Sequence, residues 1–269
     1  LIRALRTAAA GFQTHRGLFL ASGLSFNLLI CLIPVLFFLV SLAGFVLSRQ
    51  AAADAVLNQL GQIVPVYRNE LHQMLAQIIQ RRRLTGLLGT ATLLLFASQL
   101  FAAARLVLND IFGFTSRSGV VHGMLKDLVL LFVMGILFVG SILITDVFGW
   151  LRILVMVPVG MPPAWIRSLF VAMGLAANTA LFFVAYRYFP HRRVAVGPAL
   201  AGALLASALW EAARELFSWY ITTLGVYDKI YGPLGALVAL SMFVYYSGVV
   251  FVLGAELAAA LRVGGLRRR

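Results

Sequence analysis

Glu211, Arg214 and Glu215 fall within one and a half turns of a helix in the stretch WEAARELFSWYITTLGVYDKIYG, and the sequence around them is apolar enough to lie in lipid. An ionisable group at the centre of a membrane helix costs about 2.5–3.5 kcal/mol on insertion scales, so such groups mark a functional site by default. Glu211 and Arg214, three residues apart, can pair along one helix face. That leaves Glu215, or Asp146 in another apolar run, to meet a proton, water or a ligand.

Further polar groups stand in the other apolar runs. Counting ~1.5 Å per residue from each helix start brings Asn27, Ser98, Gln99 and Asn178 near mid-membrane. The same count sets Arg105 and Asn109 level with Glu256 near one boundary, and Asp146 level with Glu211, Arg214 and Glu215 towards the other. Arg105 and Glu256 are therefore expected as a cross-helix pair. Glu211, Arg214, Glu215, Asp146, Arg105, Asn109, Glu256, Asn27, Gln99 and Asn178 are together the candidates for a transport path or its coupling. Blander readings stand beside this one. Asn27 and Asn178 also suit interhelical glue, Arg105 and Glu256 can snorkel to an interface, and the Glu211 group can be a structural ion-pair network.

The elements that must position these groups follow from composition. Hydrophobic residues make up 62% of 269 positions and charged residues 12%, and mean hydropathy is +0.96, which places the chain among polytopic membrane proteins. The fold class expected is all-α, with six transmembrane helices over 17–48, 86–110, 128–148, 166–186, 197–224 and 234–261 and short interfacial amphipathic helices. Residues 1–16 read as one such interfacial helix. Residues 49–83 read as an extracytoplasmic amphipathic insertion within a single membrane domain, 1–269. The first apolar run is too long for the h-region of a cleavable signal. At ~48 Å it also exceeds a ~30 Å hydrocarbon core, so it should tilt, kink or break, with Pro34 as the hinge candidate. Gly232 and Pro233 are hinge candidates at the entrance to the last span.

Net charge is +13. The basic residues flank apolar runs, a placement that suits membrane lipids with anionic headgroups rather than nucleic acid. Six spans put both termini on one side of the membrane, where twelve Lys and Arg accumulate against eight on the other. The positive-inside rule makes that side the cytoplasm.

Catalytic patterns are missing from the sequence. His15, His72, His122 and His191 form no HxH or HxxxH pair, GxSxG does not occur, and Cys31 has no base nearby in sequence. No metal site and no cofactor is expected, and the chain reads as a non-enzyme.

LASGLSFNLLICLIPVLFFLVSLAG resembles the opening helix of the YihY/BrkB family of bacterial inner-membrane proteins, long labelled virulence factor BrkB or ribonuclease BN. YRYFPHRRV and the run from GPALAGALLASALWEAARELFSWY to VLGAEL resemble its second half, most specifically at Trp210, Glu211, Phe217, Tyr220, Tyr231, Gly232, Gly254, Ala255 and Glu256. Asn27, where Tyr is expected, and Pro233, where Ser is usual, depart from the pattern. The resemblance implies six helices in a bacterial inner membrane. The ribonuclease label lacks the clustered carboxylates or histidines that metal-dependent phosphodiester hydrolysis requires. The function expected is transport of a small solute or lipid-like molecule through a polar path between helices, with the acids and arginines suited to proton or ion coupling. The alternative is a non-enzymatic structural or scaffolding protein of the cell envelope.

Overall fold

The computed structural model describes residues 2–46, 82–114, 129, 132–137, 162–223 and 233–266. Among them every regular element is helical: α1 (Ile2–Thr14), α2 (Gly17–Val46), α3 (Arg82–Phe112), α4 (Pro163–Tyr188), α5 (Val196–Thr223) and α6 (Pro233–Leu266). Residues 129 and 132–137 are also helical and fall inside the third expected span. Helices α2, α3, α5 and α6 are each long and apolar enough to cross a membrane. The insertion expected at 49–83 lies outside the described residues, apart from its last two positions, which begin α3.

Helix α6 is the axis of the bundle. It packs on α5 and α2, receives α1 along its last turns, and touches α3 and α4; α2 packs on α3, and α4 on α5. Small residues let these backbones approach. Gly202 of α5 faces Gly254 of α6 so closely that a Cβ on either would strike the other's backbone carbonyl. Ala199, Ala203, Ala206, Ala255 and Ala258 are fully buried in the same core. Lipid tails are as apolar as leucine, so helices in a membrane associate through such close packing and through hydrogen bonds between them. Ser25 Oγ donates to Val244 O at 3.1 Å, Thr179 Oγ1 to Ser207 Oγ at 2.9 Å, and Tyr186 Oη to Phe251 O at 2.9 Å.

Pro34 lies inside α2, which runs unbroken from Gly17 to Val46. The excess length expected of this run is thus carried by one continuous helix. Two turns at the α1 end are built more tightly. Between α1 and α2, Arg16 takes the left-handed conformation at φ 51°, which breaks the helix within two residues and lays the Phe12 ring against Gly17. After α3, Gly113 at φ 66° ends the helix, with Phe114 N–H bonded to Asn109 O at 2.8 Å, as in a Schellman cap. The Arg262 guanidinium donates to Phe112 O at 3.2 Å and lies 4.4 Å from the Phe114 ring centroid, placing a cation at the negative end of α3.

Burial is uneven along the axis. At the α1 end Ser247, Gly248, Val250, Val252 and Gly254 to Ala258 of α6 are all buried. Towards the other end Leu237, Val238, Leu240, Met242, Tyr245 and Tyr246 of the same helix are exposed.

Candidate functional site

The densest set of polar and charged side chains among the described residues lies at the α1 end. Glu256, on the axial helix, is only 3% exposed, and its Oε1 sits 2.7 Å from His15 Nδ1 in the α1–α2 turn. Gly11 of α1 lies directly over the same carboxylate, and a Cβ there would collide with Oε2. The sequence produces this locally: Ala8, Gly11 and His15 recur at helical spacing on the face that α1 turns to α6, while Arg3 points away. Helix α1, expected as an interfacial helix, is therefore also a packed element of the bundle.

Arg105 and Asn109 stand one turn apart on α3, both buried. Asn109 Oδ1 accepts the His191 backbone N–H at 2.9 Å, and its Nδ2 lies 3.5 Å from His191 Nδ1. The end of α3 is thereby tied to the α4–α5 connection across 82 residues of sequence. Arg105 and Asn109 lie towards the C-terminal end of α3 and Glu256 towards that of α6, and the two helix ends meet where Arg262 reaches Phe112 O. The contact formed by Glu256, however, is with His15 and not with Arg105. The reason is geometric: α1 packs on α6 and brings the short His15 side chain directly to the carboxylate.

The Glu211 group has a different setting. Arg214 and Glu211 form an ion pair within α5, with side chains 49% and 15% exposed, and Glu215 lies 3.8 Å from Arg214 at 64% exposure. These groups meet along their own helix. Trp210, one residue before them, packs edge-on against Phe182 and Phe243. Of the mid-membrane candidates, Asn27 Nδ2 donates to Gly23 O of its own helix at 2.8 Å, Gln99 is exposed, and Asn178 is half-buried on α4. Pro233 opens α6. Asp146 and Gly232 lie outside the described residues.

Sequence reasoning missed His15 and His191. Both sit in connections at helix ends, and counting depth only inside the apolar runs left them out. His15 lies two residues before the first expected span and His191 five after the fourth, on the same side of the membrane as Glu256 and Asn109. Chemically the site offers a buried carboxylate, two imidazoles, a buried guanidinium and an amide, a set that can exchange protons or hold a polar solute. No group of three or more metal-ligating side chains occurs among the described residues.

The virulence factor BrkB family profile matches residues 8–268. Among curated proteins, the UPF0761 membrane protein of Alkalilimnicola ehrlichii is 30% identical over 90% of this chain and 54% of its own length. That of Chromohalobacter salexigens is 30% identical over the whole chain and 65% of its own length. The Pelodictyon phaeoclathratiforme protein is 27% identical over 92% of the chain and 57% of its own length. The chain thus spans between about half and two thirds of these relatives. No solved structure matches it. A match that runs over nearly every helix of the bundle identifies the chain as a membrane protein of the virulence factor BrkB family.

Proposed function

We propose that the protein moves a small solute or lipid-like molecule through a polar path between its helices, with proton or ion coupling through the buried charges at the α1 end. One observation carries this reading: Glu256, a carboxylate on the axial membrane helix, is buried at 3% exposure against an imidazole, with Arg105 and Asn109 at the same end. Such groups are expensive in lipid and are characteristic of substrate and proton pathways. Ser25, Ser247, Thr179 and Ser207 supply buried hydroxyls further along the bundle. The excess of Lys and Arg on the terminal side supports a bacterial inner-membrane location with both termini in the cytoplasm and contact with anionic headgroups there. The names of the relatives give only a membrane protein, and a non-enzymatic role agrees with that. Scaffolding of the envelope is the competing role, favoured by one feature, the direct pairing of His15 with Glu256 that docks α1.

Reconstituted liposomes test the reading. Uptake of glycerol and of single amino acids would be followed by light scattering, and lipid flipping by dithionite quenching of a fluorescent phospholipid. Transport requires at least one probe to cross faster than in empty liposomes, and more slowly with Glu256→Gln. Rates equal to empty liposomes for every probe would favour the scaffold.

A further inference from the structure

A groove of ≈ 470 Å³ runs between α4 and α5, lined chiefly by Ala172, Ala176, Ala180 and Phe183 of α4 and by Leu200 and Leu204 of α5. It is almost wholly apolar, and both leucines are exposed. Ala172, Ala176, Ala180 and Phe183 fall on one stripe of α4, at successive spacings of four, four and three residues. Four residues further along this stripe comes Arg187. Its guanidinium lies 5.9 Å from the Phe183 ring centroid, so the groove runs directly into a cation. Arg187 also lies 5.5 Å from the Tyr188 ring, and the exposed Arg193 lies 5.6 Å from the same ring. A hydrogen bond from Arg187 Nη1 to Val194 O at 3.0 Å holds the guanidinium at this mouth and uses one of its five donors.

Length and volume select the occupant. From Ala172 to Phe183 is about 16 Å of helix at ~1.5 Å per residue, close to the ~15 Å of one leaflet of a ~30 Å hydrocarbon core. A second helix, ~10 Å across, would stand largely outside a groove of ≈ 470 Å³. An apolar trough one leaflet long, ending in paired arginines on aromatic rings, matches a lipid tail with an acidic head.

We propose that the α4–α5 groove is a specific site for an anionic phospholipid, with one acyl chain along Ala172 to Phe183 and the phosphate on Arg187 and Arg193. The site stands on its own residues and does not depend on transport. It is tested by native mass spectrometry of the protein released from nanodiscs holding equal amounts of phosphatidylglycerol and phosphatidylcholine with identical chains. The wild type is expected to retain one phosphatidylglycerol with about thirtyfold preference, the ratio that two basic side chains near the surface supply. Arg187→Gln with Arg193→Gln should lose the preference, and Arg187→Lys with Arg193→Lys should restore most of it. Ala176→Leu, which fills the trough without touching a charge, should remove the retained lipid altogether. Unchanged preference in the Gln pair, or an unchanged lipid count in Ala176→Leu, would overturn the site. So would a dimer that Ala176→Leu abolishes, since a second copy would then be the occupant.

Discussion

Glu256 and Glu215 are both carboxylates on membrane helices, both close to a cation, and separated by ~20 Å along the bundle axis at ~1.5 Å per residue. Glu256 is 3% exposed and meets a partner 241 residues away. Glu215 is 64% exposed, and its cation lies on the same helix at the previous position. The first arrangement needs three elements, α1, the α1–α2 turn and α6, to be assembled before the charge has a partner. The second forms as soon as α5 does. A buried charge that depends on assembled partners is costly to disturb, whereas the contacts of Arg214 with Glu211 and Glu215 lie within one helix, near the end of its apolar span at Phe217, and need no other element. Charge alone therefore does not identify the site; burial and the origin of the partner do.

The largest expected effect comes from breaking the α1 end. Glu256→Ala leaves His15 without its partner and loosens α1, at about 2 kcal/mol, below the 3–5 of a fully buried pair because His15 is 33% exposed. Thermal unfolding in detergent reads this loss. A His15→Ala, Glu256→Ala cycle should show the two effects to be less than additive, because each removes the same contact. Full additivity would mean that the pair contributes nothing and would erase the contrast with the far end.

A smaller loss follows from Asn109→Ala, which removes the acceptor of the half-buried His191 N–H and should cost about 1–2 kcal/mol. Asn109→Asp keeps an acceptor for that N–H and should therefore cost less at the backbone bond. The smallest effect belongs to the far end. Arg214→Gln should change stability by no more than about 0.5 kcal/mol. A loss there as large as that of Glu256→Ala would show the Glu211 group to be buried by something outside the described residues, and the comparison would collapse.

The all-α, polytopic character was legible in the sequence because it depends on runs of apolar residues, and insertion into lipid responds to those runs directly. The Glu211–Arg214 pair was legible for a similar reason, since neighbours three residues apart on a helix meet whatever surrounds them. Their exposure was not legible, because it depends on which face of α5 the alanines at 199, 203 and 206 turn towards α6. Depth counting brought Arg105, Asn109 and Glu256 to one end, since helix rise is constant. The contacts of Glu256 with His15 and of Asn109 with His191 span 241 and 82 residues. They depend on two tight connections, one at Arg16 in the left-handed region and one after Pro190, that no apolar periodicity encodes.

Aqueous thiol labelling of single cysteines in liposomes tests the transport reading most directly. The set is Arg105→Cys, Asn109→Cys and Glu256→Cys, compared with Arg214→Cys and Glu215→Cys, all in a Cys31→Ala background. A polar path predicts that the three buried positions are labelled from the terminal side, at rates that change with pH, although their side chains are buried in this structure. Silence at all three in a folded, lipid-embedded protein, with Arg214→Cys and Glu215→Cys still reacting, would contradict a water-reached site and leave the α1 end as a structural clasp.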